Sequence, residues 1–536
     1  MIDFTFSDGG SETGPVWGSA LLAPLAPDAL TPFAGSLLIE IAARAWHLYY
    51  DRLGFGPTSR ARAVRLHAGR PFMNLTLSAT LDAENAGIAP PVMRIDGAAR
   101  PLIAWEKPGL LAGMKLARGA KKIEEMLHLL QQELPALTAK TAAWQQRVAG
   151  LRWSQAEVLQ IMEEIEPVGA AVMLPYFAAR RALEQVYRRL LALLAPRPEA
   201  EAAALLVRAL GGVAPTVELE MAQHVQRLGQ CAASQPAVRA WLHAGACDAW
   251  QTSPPPGAFA DELRAFMTQY GQRGLREGEI AAPRWNEAPG ALFAAIRACA
   301  EGAPAPGAAQ PADPQPLLAA VDGKARKEVQ QLVAQMQALL PMQSQALHAI
   351  SYMLAGTRQW ALAAAREALI DHRITTPDAI FFYEVEEVKE MMTGEWNISD
   401  RGGIHATAET RQQALAGWRR TPSPALIWGE RAATSAVTGL PAAGGRAEGA
   451  AVLAADTASL PVDAILVTQE PESAAAILLP ATCAFVTRQG TPLDPLCTCA
   501  RSLGRPGVVA VGDGAITLAP AARVAVDGAL GKVVIR

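Results

Sequence analysis

Apolar residues three and four positions apart recur from about residue 115 to residue 194, and again from residue 329 to about residue 371, and predict long helices in both stretches. Val158, Ile161 and Met162 follow this spacing. Between Val329 and Leu340 the apolar residues lie at offsets 0, 3, 4, 7, 10 and 11, so one helical face is continuously apolar. Pro341 then predicts a kink or a division of that helix, because proline removes a backbone donor.

A different pattern begins near residue 438 and predicts a second domain. Short β-branched runs at residues 463–468, 483–487 and 507–511 are separated by Gly, Asp and Pro. They alternate with two short helical pieces, as in α/β domains. The pattern therefore predicts an α/β domain over residues 438–536, joined to the preceding chain by a glycine-rich hinge at residues 439–449.

Residues 1–437 are predicted to form one large, mainly α-helical domain. Stretches rich in Pro and Ala predict linkers near residues 250–260 and 302–316, with helical, peripheral chain between them. The run that starts at Pro377 predicts a strand followed by a short helix. The fold class is therefore a multidomain protein with a large helical domain and a smaller C-terminal α/β domain.

Composition narrows the possible partners. Hydrophobic residues make up 51% and charged residues 18%, which excludes a disordered chain or a coiled coil. A net charge of −3 gives no field that would attract nucleic acid or an anionic membrane, and no apolar stretch reaches the roughly 18 residues of a spanning helix. The first ten residues lack the features of a secretory signal, so we expect a cytoplasmic protein whose partners are small molecules or proteins.

Familiar catalytic and metal motifs are missing from the sequence. The six cysteines are too sparse for a disulfide framework, and Cys497-Thr-Cys499 has no second ligand pair nearby, so we predict no metal site. There is no HExxH, no Gly-x-Ser-x-Gly and no phosphate-binding lysine loop. Any function must therefore come from a less familiar arrangement.

The C-terminal segment carries an ordered series of elements over about 90 residues. They are Gly445 to Gly449, Asp463 to Val467, Val486-Thr487, Gly490 to Leu493, Ala500-Arg501, Gly504-Arg505-Pro506 and Val524 to Gly528. This series resembles the phosphohistidine swivelling domain of the PEP-utilising enzymes, the family of PEP synthase, pyruvate phosphate dikinase and rifampicin phosphotransferase. The resemblance implies a swivelling-type α/β domain.

Two upstream elements extend the resemblance. Gly69 to Asn74 and the stretch from Thr357 to Val388 resemble parts of the helical acceptor-binding domain of the rifampicin phosphotransferase type. The resemblance implies an apolar acceptor pocket, for which the candidate residues are Tyr352, Arg358, Trp360 and Arg366. The ATP-grasp nucleotide domain of the family has no room in this chain, so we expect it to be absent.

The decisive departure lies in the swivelling loop, whose candidate residues are Gly490, Thr491, Leu493 and Arg501. In the family, a histidine in a Gly-Gly-x-Leu-Ser-His turn carries the phosphoryl group. Here the serine position is Asp494 and the histidine position is Pro495, and no histidine follows residue 405. Proline has no nucleophilic side chain, so phosphohistidine is not expected.

Two residues of this loop could replace the histidine as nucleophiles. Asp494 could form an aspartyl phosphate, and Cys497 could react as a thiolate near a helix N-terminus. The simpler interpretations are a helix-capping aspartate and a cysteine packed in the core. The sequence favours these structural roles for both.

Three functional hypotheses remain open, so the sequence does not decide whether the chain is an enzyme. The leading one is a relative without phosphohistidine transfer that binds a small apolar molecule or a partner protein and needs no cofactor. The alternative is an enzyme subunit for ATP-dependent phosphoryl transfer or condensation, with ATP and Mg²⁺ supplied through a separate ATP-grasp subunit. The third is an unrelated enzyme in a repurposed pocket.

Overall fold

The computed structural model describes residues 3–6, 14–57, 59–95, 98–213, 215–244, 250–253, 257–303, 307–396, 401–421, 423–429, 431–435, 439–454, 457, 460–512 and 522–536. Within these ranges no helix has the length and apolar character needed to cross a membrane. The described chain contains two sheets, and most of its helices lie in sequence between residues 101 and 426, within the segment that forms the first sheet.

The first sheet brings the two ends of the N-terminal region together. Its strand order over the described residues is β3-β4-β2-β7-β8-β1-β5-β6. The last two strands follow more than 300 residues of helical chain and pair with β2 and β1. The strands are β1 (Asp3–Phe6), β2 (Val16–Gly18), β3 (Val64–His67), β4 (Arg70–Asn74), β5 (Val92–Ile95), β6 (Ala98–Pro101), β7 (Leu426–Trp428) and β8 (Arg431–Ser435).

Long helices make up most of the region between these strands. Helix α4 starts with a capping box in which Ser154 and Glu157 bond each other's backbone N–H. The helices up to residue 420 are α1 (Pro32–Leu53), α2 (Leu75–Ala86), α3 (Leu110–Ala149), α4 (Gln155–Leu194), α5 (Glu199–Leu210), α6 (Val217–Ser234), α7 (Pro236–His243), α8 (Ala258–Tyr270), α9 (Gly290–Ala300), α10 (Gln315–Ala319), α11 (Arg326–Ile370), α12 (Val385–Thr393) and α13 (Arg401–Arg420).

Two local predictions in this region change. Helix α11 is one continuous helix through Pro341, so the predicted division does not occur, and the buried side chains of Leu340 and Met342 flank the proline. The predicted strand at Pro377 is a 3₁₀ helix, Pro377–Phe382. Its Phe381 ring packs edge-on against Phe33, which buries a compact turn where an extended strand was expected.

The second sheet forms the C-terminal α/β domain. Strands β10 to β13 are parallel, and the edge strands pair antiparallel, in the order β15-β14-β10-β11-β12-β13-β9. Residues 440–443 and 446–453 are strands of this sheet, so the predicted glycine-rich hinge is wrong. The elements are β9 (Leu440–Ala443), β10 (Arg446–Leu453), β11 (Ala464–Thr468), β12 (Ala484–Thr487), α14 (Pro495–Ser502), β13 (Gly507–Val509), β14 (Arg523–Asp527) and β15 (Lys532–Ile535).

Helices α6, α8 and α9 cover one face of this α/β domain. Phe266 of α8 and Ile296 of α9 belong to the same buried cluster as Leu466, Ile477 and Leu496. The prediction that the chain between the two linkers is peripheral is therefore wrong. Its apolar helix faces are buried because they complete the core of the second domain.

Candidate functional site

The turn from residue 490 to residue 495 lies between β12 and α14, where the resemblance implies the phosphocarrier loop. Gly490 has a φ of 107°, and a Cβ there would lie 2.6 Å from the ring of Pro471. Asp494 closes the turn, since its Oδ2 accepts hydrogen bonds from the N–H of Thr491 at 2.6 Å and from its hydroxyl at 3.2 Å. The turn is therefore held by its own aspartate.

Arg180 of α4 reaches this turn from the helical domain. Its Nη1 donates a hydrogen bond to Oδ1 of Asp494, and the two side chains are only 2% and 1% exposed. Both oxygens of the Asp494 carboxylate are thus engaged. Because breaking one side of a buried pair leaves an uncompensated charge, this contact fixes the turn on α4.

Two buried acids follow β11 on the same side of the domain. Burial raises the pKa of Glu470 well above its usual value, and the charge of Asp494 adds to the effect. Burial also raises the pKa of Glu472 to about 7, although a hydrogen bond of 2.6 Å from the N–H of Arg276 opposes the shift. These environments favour the neutral acids.

The loop between α8 and α9 supplies a second buried connection. Arg273 donates to both oxygens of Glu277 and, at 2.8 Å, to the hydroxyl of Ser473 in the α/β domain. The Ser473 hydroxyl in turn donates to Glu218 of α6, which also accepts a hydrogen bond from Ser344 of α11. A continuous hydrogen-bond chain therefore crosses the boundary between the two domains.

Arg501 makes a third connection. Its Nη1 donates to the carbonyl oxygens of Ala442 at 2.8 Å and Pro492 at 2.9 Å, and its Nε donates to that of Gly211 in the helical domain at 3.0 Å. Burial lowers its pKa to about 10. Among the predicted swivelling-loop residues, Leu493 is also buried. Arg501 therefore ties the loop both to its own sheet and to the neighbouring domain.

The predicted acceptor-pocket residues do not converge. Arg358 donates to the carbonyl oxygens of residues 280 and 281 and pairs with Glu287, so it braces the α8–α9 loop. Tyr352 bonds the carbonyl oxygen of Gln269 at the end of α8. Trp360 is fully buried, with its indole N–H on a carbonyl of α4, and Arg366 is exposed. Of the four, only Arg358 and Tyr352 are described with side-chain hydrogen bonds to residues 269–287.

The structure also places the two candidate nucleophiles. Both carboxylate oxygens of Asp494 accept hydrogen bonds, from Arg180 and from Thr491. Cys497 is fully buried, and burial raises the pKa of its thiol far above the usual value, while its Sγ lies 3.4 Å from the carbonyl oxygen of Thr491. Burial therefore disfavours a thiolate at Cys497, because desolvation penalises the charged form.

Sequence reasoning missed the α8–α9 loop, which carries Arg273, Glu277 and Arg284. The available signal was the density of charged residues among three glycines between residues 271 and 279, which is unusual for a peripheral connector. Over the described residues, no three His, Cys, Asp or Glu side chains are arranged to hold a metal ion.

A cavity of about 700 Å³ lies between the two domains, on the side of α5. The α/β domain contributes Pro441, Gly444, Gly528 and Ala529 to its wall. The helical domain contributes Arg197, Glu201, Ala204, Leu205, Val207, Arg208, Gln310, Pro311, Asp313, Pro316 and Ala320. Gln310 joins the two halves, because its side-chain amide exchanges hydrogen bonds with the backbone of Gly444. None of the four predicted pocket residues lines this cavity.

The chain is a multidomain protein in which a swivelling-type α/β domain packs against a large helical domain. Residues 168–367 match the model of the rifampicin phosphotransferase fourth domain, and residues 460–531 match that of the mobile domain of PEP-utilising enzymes. The chain belongs to the PEP-utilising enzyme family.

The curated relatives that match this chain have low sequence identity to it, and the match covers only part of their length. Uncharacterized proteins of Mycobacterium bovis and Mycobacterium tuberculosis are 27% identical to this chain over 287 residues, which is 51% of this chain. The matched region is 31% of each of those proteins, so the chain spans about a third of their length.

Proposed function

We propose that this chain is a family member that does not form phosphohistidine and that binds a small, largely apolar molecule at the boundary of its two domains. The observation that carries the proposal is the buried Arg180–Asp494 pair, immediately before the proline that occupies the histidine position. A phosphocarrier turn needs a nucleophile and freedom to move. This turn has a proline and a fixed carboxylate.

The cavity beside α5 supports the binding part of the proposal. Its volume of about 700 Å³ is within the range of small-molecule sites, roughly 300–1,000 Å³. Alanine, leucine, valine and proline side chains provide much of its wall. Of the four charged groups on the wall, Arg208 and Asp313 pair with one another, while Arg197 and Glu201 are also present. We expect apolar contact to be the main contribution to binding.

Isotope labelling tests the absence of a phosphohistidine relay. The full chain is incubated with ³²P-labelled ATP or phosphoenolpyruvate, with and without a separate ATP-grasp protein, and a histidine-containing swivelling protein is the positive control. We expect no acid-labile, base-stable label on this chain. Label on the segment from Thr487 to Arg501 would contradict the proposal. Label that requires the ATP-grasp protein would support the alternative, a subunit phosphorylated in trans.

A cavity-filling variant tests the binding site. The probe is 8-anilinonaphthalene-1-sulfonate, an aromatic molecule whose fluorescence rises in apolar surroundings. Leu205→Trp places a larger ring in the cavity, and Leu129→Trp makes the same change at an exposed position of α3. We expect saturable binding that Leu205→Trp weakens at least about fivefold and Leu129→Trp leaves unchanged. Equal binding by all three proteins would place the probe elsewhere and contradict the proposed site.

A further inference from the structure

Arg284, in the α8–α9 loop, is a buried cation that finds no acceptor among the described residues. The residue is 2% exposed, and none of its three guanidinium nitrogens donates a hydrogen bond to any described residue. A guanidinium has five N–H donors, and leaving such a charged group buried without partners is strongly unfavourable. This arrangement calls for an acceptor that the described residues do not provide.

Neighbouring carboxylates are already engaged by other groups. Glu277 is held by both Nε and Nη2 of Arg273, and Glu287 pairs with Arg358. Glu279 accepts hydrogen bonds from the backbone N–H and the hydroxyl of Thr31. Burial lowers the pKa of Arg284 to about 10, and the charge of Glu277 opposes the shift. The side chain therefore remains a cation at neutral pH.

Other fully buried arginines of the described chain have hydrogen-bond acceptors for their guanidinium groups. Arg180 has the carboxylate of Asp494, Arg273 has that of Glu277, and Arg501 has three backbone carbonyl oxygens. Each of these groups forms a structural contact. Arg284 differs from all three although it lies in the same loop as Arg273.

Further unpartnered polar atoms surround the same region. The indole N–H of Trp285 is buried and has no acceptor among the described residues, and its ring is tilted by 39° against that of Phe266, with 5.6 Å between the ring centroids. Phe266 contacts Tyr270, which in turn contacts His348, whose buried Nδ1 also has no partner within the described ranges. Unused hydrogen-bonding groups therefore lie along one aromatic wall beside the loop.

We infer that Arg284 anchors a binding site for a small oxyanion, the carboxylate or phosphate group of a ligand. The planar guanidinium presents parallel N–H groups that match two oxygens of such an anion. Arg284 does not line the cavity beside α5. The oxyanion site is thus separate from the apolar cavity of the proposed function and does not depend on it.

Thermal unfolding with added anions tests the inference. The probes are inorganic phosphate and benzoate, each compared with chloride at equal ionic strength, and the variants are Arg284→Met and the matched Arg273→Met. A ligand that binds only the folded state raises Tm in a saturable way. We expect the Tm of wild type to rise by at least about 2 °C with one of the two oxyanions. A rise with phosphate indicates a phosphate ligand, and a rise with benzoate indicates a carboxylate ligand. Arg284→Met is expected to lose that rise.

The anion-free stabilities give an independent criterion. Arg284→Met removes a charge that has no partner among the described residues, so its Tm should equal or exceed that of wild type, whereas Arg273→Met removes both side-chain hydrogen bonds to Glu277 and should lower Tm. The inference is wrong if neither oxyanion raises the Tm of wild type, or if Arg284→Met keeps the full response. Retained binding of the aromatic sulfonate in that case would leave the proposed function intact.

Discussion

Asp494 and Pro495 together change what the turn before α14 can do. Asp494 places a carboxylate at the turn where the resemblance implies a phosphohistidine, and Arg180 pairs with that carboxylate away from solvent. Pro495 occupies the first helical position, where its fixed φ suits the helix and its missing N–H is not needed. Proline at the histidine position therefore stabilises the start of α14 and provides no nucleophile there.

Removing the charge of Asp494 should destabilise the protein strongly. Asp494→Asn removes the buried carboxylate partner of Arg180 and leaves only the longer contact with Glu184, at 3.5 Å, so we expect a loss of about 3–5 kcal/mol in the free energy of unfolding. The double variant Arg180→Met/Asp494→Leu removes both charges and should recover most of that loss. Urea denaturation measures the free energy of unfolding of wild type, the single variant and the double variant. A loss below about 1 kcal/mol for Asp494→Asn, as for an exposed pair, would show that the pair does not fix the turn.

Glu472 should make stability depend on pH near neutrality. Its pKa is about 7 in the folded chain against 4.5 in the reference state, so between these values the folded state holds more protons than the unfolded state. Stability contributed by this group is full below about pH 4.5 and is lost as pH rises through 7. Relative to Glu472→Gln, wild type should lose up to about 3 kcal/mol between pH 5 and pH 8, measured by urea denaturation. Parallel pH profiles would contradict this.

At the scale of elements, the strength of the local pattern determined what could be predicted. Helices α3, α4 and α11 are 40, 40 and 45 residues long, and their apolar periodicity repeats over many turns. The first sheet was not predicted, because its strands are three to five residues long and draw partners from both ends of the region. Such pairing depends on tertiary contacts that no local window contains.

The candidate site also contains residues that local sequence motifs identify and residues whose role depends on tertiary contacts. The residues of the swivelling loop could be located because the order of short motifs fixes their positions. The importance of the α8–α9 loop could not be predicted, since the partners of Arg273 include Ser473, 200 residues away. The aromatic residues of α11 were better explained by packing than by a pocket, as the burial of Trp360 illustrates.

Gly507 of β13 gives a prediction for the second sheet. A Cβ at this position would lie 1.9 Å from a ring carbon of Phe485 on the adjacent strand β12. Gly507→Ala should therefore lower the free energy of unfolding by more than about 2 kcal/mol, because the buried ring has to move. Gly402→Ala is the control, since a Cβ there meets nothing within 4 Å. Equal stabilities in thermal denaturation would show that the β12–β13 packing adjusts freely.

For the whole molecule, the two domains share buried structure. Helices α6, α8 and α9 and the α/β domain contribute to one apolar cluster, and the hydrogen bonds of Arg180, Arg273 and Arg501 cross the same boundary. A domain that swings between two sites would have to expose this apolar surface and these charges at each step. The described contacts favour a fixed position.

Shared burial predicts cooperative unfolding. The helices that cover the α/β domain lose their partner surface if that domain unfolds alone, so we expect a single calorimetric transition whose van't Hoff and calorimetric enthalpies agree. Asp494→Asn should shift this transition without dividing it. Two well-separated transitions in wild type would instead indicate that the domains are thermodynamically independent.

Native-state hydrogen exchange at the domain boundary tests the fixed position most directly. The N–H of Arg276 donates to Glu472, and the N–H of Gln310 donates to the carbonyl oxygen of Arg501, so both amides are protected only while the domains are docked. We predict that they exchange as slowly as core amides of β11 and α11, with or without ATP. Much faster exchange at these two amides, while the cores of both domains stay protected, would mean that the domain swings and would contradict the account.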